Sequence, residues 1–298
     1  MGCGVIEVPA ELVRVQSEAN GEEGRAFVAG LPGRAERFLR EWGLRRTGPV
    51  MHGWSSLVLP VVAEDGTRAA LKLGFLDEES AGEGAALRAW DDAGAVRLLR
   101  EDAGTGTLLL EWLDHRRSLE DVADAREATR VLAELLARLV AVAAPAGMRT
   151  LGGIAARMLD DVPAAVRELE REEDRRLLRD CAAAVREVVG EPGDRLLHWD
   201  LHFGNVLAAG REPWLAIDPK PLAGDPGFEL LPSLCNRFDA AEVRWRFDLL
   251  TEVLGLDRER ARAWTLGRVL QDCLWEVEDG ESVLEGERVR VGRMLLGR

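Results

Sequence analysis

The segment LLHWDLHFGNVL, residues 196–207, restricts the folds open to this chain more than any other stretch. It gathers two of the four histidines and one of the three asparagines around Asp200. Polar side chains of this kind are uncommon in a core, whereas the apolar residues around them favour short strands. We predict strands at 205–208 and 214–218 that flank the turn AAGREPW, with Asp218 at the end of the second. The pattern indicates a loop of ionisable side chains held at strand ends.

The part of the chain upstream of residue 113 has the pattern of a small sheet with one helix inserted. A short helix is predicted over 35–42. Strands are predicted at 55–62 and 68–74, joined by a turn at Asp65-Gly66, because apolar and β-branched residues surround a typical hairpin dipeptide. A helix follows over about 78–92. The segments AVRLLRE and GTLLLEWL then predict two further strands.

The rest of the chain has mostly helical spacing. Ser118 and Asp121 have the spacing of a capping box, which predicts a helix from there to about Val142. One long helix is predicted over 162–189, with Pro163 near its start, and several amphipathic helices over 226–298. We therefore predict an α+β fold with two lobes. A β-rich N-terminal lobe spans 1–113, and a mostly helical C-terminal lobe spans 114–298.

Composition excludes some classes of partner. The net charge is −14, so binding to nucleic acid or to an anionic membrane is not expected, because both need a basic surface. A cationic ligand is compatible with this charge. No signal peptide and no apolar run of membrane-spanning length is expected. The four cysteines are scattered without metal-site spacing, so we expect free thiols, Cys3 among them, and a cytoplasmic protein.

The loop around Asp200 has the spacing H-x-D-x-x-x-x-N, which is that of a kinase catalytic loop. Phosphoryl transfer to a hydroxyl needs a carboxylate that accepts the hydroxyl proton, and Asp200 fits this role. It also needs oxygen ligands for a divalent ion, and Asn205 and Asp218 fit that role. For His198 and His202 we expect mainly a structural role in shaping the loop.

Lys72 stands in the apolar strand segment AALKL, where a lysine needs a specific purpose. All basic residues other than Lys72 and Lys220 are arginine, which suggests that these two sites require a compact ammonium. We predict that Lys72 binds nucleotide phosphates and that Glu83 in the next helix pairs with it, with Glu78 or Glu79 as alternative partners. Lys220 is either a phosphate or substrate ligand or simply a turn residue.

Two further segments suit a nucleotide. The stretch from Gly53 through Ser55 to Ser56 precedes the first hairpin strand, and its backbone N–H groups are predicted to cover phosphates. The strand LLLEWL ends at Glu111 to Leu113, where backbone groups are predicted to meet an adenine edge. The predicted co-substrate is therefore ATP, and the predicted metal ion is Mg²⁺.

These motifs resemble those of the aminoglycoside phosphotransferase family, in particular its streptomycin 6-kinase / hydroxyurea phosphotransferase branch. The resemblance extends over roughly residues 57–236 and rests on the words ALKL, LLLEWL, LLHWDLHFGNVL and WLAIDPKPLAGDPGFEL. It implies a protein-kinase-like fold and ATP- and magnesium-dependent phosphorylation of a hydroxyl. It also implies that Asp225 and Glu229, in GDPGFE, support the catalytic loop. Trp199 is bulkier than the glycine often found there, and we expect it to narrow the substrate entrance.

The expected activity is therefore transfer of phosphate to a small hydroxylated molecule, and the negative net charge is compatible with a cationic one. An aminoglycoside or aminocyclitol antibiotic such as streptomycin is the leading acceptor, with resistance as the result, and hydroxyurea or another small metabolite is the alternative. Two other classes remain open at this point. One is a metal-dependent hydrolase that uses His198, Asp200 and His202, and the other is a pseudokinase that binds nucleotide without turnover. A monomer or weak dimer is expected.

Overall fold

The structure, a computed structural model, describes residues 6–298. The chain forms two compact units. The first contains the residues up to Asp114 together with Ala209–Arg211. The second contains His115–Ala208 and Glu212–Arg298.

The first unit is a β-sheet covered by a long helix. In chain order its helices and strands are α1 Ala10–Glu41, β1 Leu44–Arg46, β2 Met51–His52, β3 Ser56–Ala63, β4 Arg68–Gly74, α2 Glu83–Trp90, β5 Leu98–Asp102 and β6 Thr107–Glu111. The antiparallel sheet has the order β1-β3-β4-β6-β5, and β2 pairs with β3. Leu57, Leu59 and Leu71 of the sheet form one buried cluster with Leu31 and Phe38 of α1. This core holds the central hairpin β3–β4 in place.

Sequence patterns located the central hairpin of this unit but not all of its helices. The predicted strands 55–62 and 68–74 differ from β3 and β4 by one residue at most. The predicted helix over 78–92 begins later, at Glu83, because the Asp77 carboxylate accepts backbone N–H groups of the preceding turn. The helix predicted over 35–42 is only the end of α1. A kink at Gly21 and a proline at Pro32 interrupt its pattern and hid its full length.

The second unit is mainly helical. In chain order its helices and strands are β7 Asp114–Ser118, α3 Ala125–Val140, α4 Leu151–Glu168, α5 Glu172–Val188, β8 Arg195–Leu197, β9 Val206–Ala208, β10 Trp214–Ala216, β11 Leu222–Gly224, α6 Leu230–Cys235, α7 Val243–Val253, α8 Arg258–Glu278 and α9 Gly286–Leu295. Single 3-10 turns occur at Leu119–Asp121, Phe203–Asn205 and Pro226–Glu229. Two small sheets, β10-β9-β7 and β11-β8, are embedded among the helices. The pairs β10–β9 and β11–β8 are antiparallel.

Two helix predictions in this unit are wrong. The capping box of Ser118 and Asp121 is present, but it caps only a 3-10 turn, and α3 starts after its own cap at Asp124. The single helix predicted over 162–189 is two helices, and Pro163 lies inside the first. The chain leaves helical geometry at Leu169, whose side chain is buried, and Glu170 N donates to Ser282 O across 2.8 Å. Tertiary contacts thus override the local helical pattern.

Cys181, Cys235 and Cys273 are free thiols, whereas Cys3 lies outside the described residues. Across residues 6–298, every helix is too short or too polar to cross a membrane.

Candidate active site

The loop between β8 and β9 places Asp200 in a fixed backbone setting. The carbonyl oxygen of Asp200 accepts a hydrogen bond from Asn205 Nδ2 across 2.8 Å and another from His202 N across 3.1 Å. The Asp200 side chain is half-buried and Asn205 is buried. The side-chain nitrogen of Asn205 therefore stabilises the loop by this hydrogen bond. Oδ1 of the same amide points away from the Asp200 carbonyl.

Pairing of β9 with β10 brings the second predicted oxygen ligand to the same loop. Ile217 N donates to Asn205 O across 2.9 Å. The residue before Asp218 is thus hydrogen-bonded to Asn205, in the loop that contains Asp200. Asp218 itself has a φ of +58°, an uncommon conformation for a residue other than glycine. A strand–turn–strand unit thus joins Asn205 and Asp218, and an amide oxygen and a carboxylate are ligands that suit Mg²⁺.

Both histidines of the loop contact its backbone. His198 is fully buried, and its Nε2 lies 3.0 Å from Ile217 O. Burial lowers the pKa of His198 to about 4, so its imidazole is neutral at pH 7. His202 Nδ1 accepts a hydrogen bond from Gly204 N across 3.1 Å and caps the 3-10 turn that follows.

Within the described residues, no group of three or more histidine, cysteine, aspartate or glutamate side chains is arranged to hold a metal ion. His198, Asp200 and His202 therefore do not form the site that the metal-dependent hydrolase hypothesis requires.

Glu229 supports the residue that precedes Asp200. Its Oε1 accepts a hydrogen bond from Trp199 N across 2.7 Å, and Trp199 has a φ of +67°. Because Glu229 is fully buried, desolvation raises its pKa to about 7, and the Trp199 N–H partly opposes this shift. Asp225 lies upstream and caps the 3-10 turn Pro226–Glu229 by accepting a hydrogen bond from Gly227 N across 2.8 Å. Its carboxylate also accepts a hydrogen bond from Arg260 Nε across 2.6 Å.

The Trp199 ring lies in the interior. It is 2% exposed, with the guanidinium carbon of Arg149 at 4.0 Å and that of Arg268 at 5.0 Å from the ring centroid. The expectation that Trp199 narrows a substrate entrance is therefore wrong. Lys220 N donates to His198 O across 3.0 Å, and Arg149 Nη2 donates to Lys220 O across 3.1 Å. The Lys220 backbone is thus part of the loop's support.

The roles of Arg149 and Arg268 were not predicted from the sequence. Each contacts the residue before Asp200 from a distant part of the chain. No sequence signal distinguishes them, because arginine is the basic residue almost everywhere in this chain.

The first unit contains a buried ion pair. Lys72, in the middle of β4, has its Nζ 2.6 Å from Glu83 Oε1 and 2.7 Å from Oε2. Lys72 is 7% exposed and Glu83, the first residue of α2, is 6% exposed. Of the three glutamates considered from the sequence, Glu83 is thus the one that meets the lysine through both carboxylate oxygens. A buried charge pair of this kind is costly to desolvate, which favours a functional reason for its presence.

The loop before β3 has its carbonyl groups bonded to protein. Ser56 O accepts from Gly53 N across 3.0 Å, Ser55 O accepts from Phe75 N across 2.8 Å, and Trp54 O accepts from Gln16 Nε2 across 3.0 Å. The Trp54 side chain is 70% exposed.

Glu111 ends β6 and has a structural set of contacts. Its N donates to Arg97 O across 2.9 Å, and its Oε1 accepts from Arg97 N across 2.7 Å and from Arg211 Nε across 3.0 Å. The contact with Arg211 was not foreseen. Leu113 follows as a buried residue.

Comparison with known proteins identifies a family for this chain. A family model described as "Aminoglycoside/hydroxyurea antibiotic resistance kinase" matches residues 41–280. A hydroxyurea phosphotransferase of Kitasatospora aureofaciens is 67% identical over 99% of this chain and 87% of its own length. A streptomycin 6-kinase of Streptomyces glaucescens is 54% identical over 98% of both chains.

Solved structures show the same fold at low sequence identity. The macrolide 2'-phosphotransferase of Brachybacterium faecium superposes with a TM-score of 0.58 and 19% identity, over 89% of this chain and 97% of that chain. Such identity is evidence of fold alone. The predicted protein-kinase-like fold and the predicted family are both confirmed: this chain belongs to the aminoglycoside/hydroxyurea antibiotic resistance kinase family.

Proposed function

We propose that this protein transfers the γ-phosphoryl group of ATP to a hydroxyl of a small antibiotic molecule, with Asp200 as the catalytic base. The acceptor oxygen forms a bond to the γ-phosphorus, and the bond from that phosphorus to the bridging oxygen breaks. ADP leaves, and the acceptor proton passes to the Asp200 carboxylate. The observation that supports this proposal is the joining of Asp200, Asn205 and Asp218 through the hydrogen bonds of one loop and one strand pair.

Asn205 Oδ1 and the Asp218 carboxylate are the proposed ligands of Mg²⁺. When bound, the ion neutralises charge on the transferring phosphates. The remaining work of this loop is positioning. The braced carbonyl of Asp200, the neutral His198 and the Glu229 contact together fix the backbone from which the base projects, so that little reorganisation is needed during the reaction.

The first unit supplies the proposed nucleotide contacts. Lys72, oriented by Glu83, suits the α- and β-phosphates as a compact cation. Backbone N–H groups at Ser55 and Ser56 suit phosphate oxygens, because the carbonyls of this loop are directed to protein partners. The Gly53 N–H, which the sequence placed in the same role, instead donates to Ser56 O across 3.0 Å. For the adenine we propose backbone groups in the segment from Glu111 to Leu113.

Streptomycin is the leading proposed acceptor. Its 6-kinase from Streptomyces glaucescens is 54% identical to this chain, and a cationic aminocyclitol suits a protein with a net charge of −14. Hydroxyurea is a second candidate, favoured by the 67% identity to a hydroxyurea phosphotransferase. In either case we propose that modification confers resistance, and that the enzyme acts in the cytoplasm as a monomer or weak dimer.

The proposal is tested by steady-state kinetics with MgATP and each acceptor, with mass spectrometry of the product. We expect a product heavier by one phosphoryl group. The ratio of kcat/KM for streptomycin and hydroxyurea then decides between the acceptors. ATP binding without modification of streptomycin, hydroxyurea or other hydroxylated acceptors would contradict the proposal and would support a pseudokinase.

A further inference from the structure

Gln16 is a polar side chain with no exposure to solvent, and both ends of its amide are used. Its Nε2 donates to Trp54 O across 3.0 Å, and its Oε1 accepts from Asn20 Nδ2 across 3.0 Å. A buried amide needs such partners, because an unsatisfied one is costly. The first contact links α1 to the loop that precedes β3.

The shape of α1 allows Gln16 to reach this loop. At Gly21 the helix is interrupted by a φ of +53° and a ψ of −124°, so that residues 10–20 form a separate segment. After the kink, Gly24 packs so closely on Gln16 that an added Cβ would lie 1.9 Å from Gln16 O. Any side chain at Gly24 would push the segment containing Gln16 away from this arrangement.

The hydrogen bonds of the loop that precedes β3 determine the direction in which its backbone carbonyl and N–H groups point. The carbonyls of Trp54, Ser55 and Ser56 accept from Gln16, Phe75 and Gly53 respectively. The N–H groups of Trp54 and Ser55, by contrast, donate to no partner among residues 6–298. Successive backbone N–H groups of this kind form a concavity that suits an anion.

Gln16 determines which way one of these peptide units faces. The peptide bond between Trp54 and Ser55 is trans, so its C=O and N–H groups point in opposite directions. Because the Trp54 carbonyl is bonded to Gln16, the Ser55 N–H faces away from α1. Rotation of this peptide unit would break the bond to Gln16 and would replace an N–H donor with a carbonyl oxygen that repels phosphate.

We propose that Gln16 is a positioning residue for nucleotide binding, which holds the Trp54–Ser55 peptide so that its N–H faces the phosphates. This inference rests on the proposed function, since it assumes that the loop covers a nucleotide. It assigns a role to the N-terminal segment of α1, to which the proposed function alone gives none.

The test compares MgADP binding by calorimetry in wild type and Gln16→Met. Met is similar in size to Gln but does not donate a hydrogen bond. Loss of the bond to Trp54 O predicts a dissociation constant raised roughly three- to tenfold. It also predicts faster amide hydrogen exchange at Gly53 and Phe75, whose N–H groups donate to carbonyls of this loop. Thr129→Val is the matched control, because it removes a buried side-chain hydrogen bond in α3, far along the chain from the loop. The control should leave both MgADP affinity and amide exchange in the loop unchanged.

Gln16→Glu provides a second readout that a merely structural role would not give. A protonated glutamic acid donates to Trp54 O, whereas the ionised carboxylate repels it. Relative to wild type, MgADP affinity of this variant should be near normal at low pH and should fall as pH rises. This readout also decides the case if Gln16→Met fails to fold.

Wild-type affinity and loop exchange in the folded variants would overturn the role of Gln16 while leaving the proposed function intact. Failure of the wild-type protein itself to bind MgADP would overturn the proposed function, and this inference with it.

Discussion

Asn205 Nδ2 donates a hydrogen bond to the backbone carbonyl of Asp200 across 2.8 Å. The residue proposed to bind magnesium through its oxygen therefore also braces, through its nitrogen, the residue proposed as the base. The proposed metal binding and the proposed positioning of the base would therefore depend on the same amide group.

Substitutions of Asn205 should separate its two roles. Asn205→Asp keeps an oxygen for the metal but loses the donor to Asp200 O. We expect kcat to fall roughly three- to tenfold, the effect of one hydrogen bond, with the Mg²⁺ concentration for half-maximal rate almost unchanged. Asn205→Ala loses both roles and should also raise the Mg²⁺ requirement. Titration of the rate with Mg²⁺ checks both expectations, and equal Mg²⁺ requirements in the two variants would contradict them.

Asp200→Asn should remove the base without disturbing the fold. General base catalysis typically contributes a factor of about 10² to 10⁴, so we expect kcat to fall within that range. Nucleotide affinity, measured by calorimetry, should stay within about twofold of wild type. Asp194→Asn is the matched control, because Asp194 is an exposed aspartate just before β8. A joint loss of turnover and of nucleotide binding would instead point to a structural role for Asp200.

The pair of Lys72 and Glu83 allows its contributions to stability and to binding to be separated. Glu83→Leu alone removes the carboxylate that pairs with the buried Lys72 ammonium, and we expect a loss of about 3–5 kcal/mol in the free energy of unfolding. The double variant Lys72→Met with Glu83→Leu should recover most of that stability, since apolar residues replace both charges. It should not recover ATP binding.

Urea unfolding and calorimetry on the same samples check both parts. Normal ATP affinity in the stable double variant would show that Lys72 is only a structural residue.

The raised pKa of Glu229 predicts that the difference in free energy of unfolding between Glu229→Gln and wild type depends on pH. Burial raises this pKa from 4.5 to about 7, so between these values the folded protein binds more protons than the unfolded chain. The contribution of Glu229 is therefore fully present below pH 4.5 and is lost as pH rises through 7. Glu229→Gln keeps an acceptor for Trp199 N and abolishes this loss. Relative to wild type, the variant should gain about 3 kcal/mol in free energy of unfolding from low pH to pH 8.

Urea unfolding of Glu229→Gln and wild type across this pH range checks the expectation. His198, whose pKa shifts in the opposite direction, is present in both proteins and largely cancels in the difference. Glu191→Gln is a matched control at an exposed glutamate and should show no such trend. A stability difference that does not vary with pH would show that Glu229 ionises normally in the folded protein.

Features that lie close together in sequence were predictable. The spacing of Asp200 and Asn205 within one loop follows from a local pattern. The strand predicted over 214–218 is present but ends at Ala216, two residues before Asp218. Local patterns also predicted the central hairpin and Lys72, whose apolar strand made a lone lysine conspicuous. Here short-range periodicity and residue chemistry agree with the final structure.

Features that depend on distant contacts were not predictable. Gln16 and Trp54 are 38 residues apart, and no local pattern of either segment requires their hydrogen bond. The break between α4 and α5 depends on a bond from Glu170 to Ser282, which the helical pattern of that segment does not reveal. Arg149 was hidden by composition, because one arginine among many gives no signal. Sequence patterns thus predicted the candidate reacting groups. Contacts such as those of Arg149 and Gln16 depend on tertiary packing and were not predicted.

The most direct test of the central claim follows the γ-phosphoryl group itself. ATP labelled in that group is mixed with Mg²⁺ and excess enzyme, with streptomycin and hydroxyurea in separate reactions, and the label is traced by mass spectrometry. We expect the label in a phosphate ester of at least one acceptor with the wild-type protein, and a rate lowered by about 10² or more with Asp200→Asn. Label that stays in ATP or appears only as inorganic phosphate in both reactions would contradict the account.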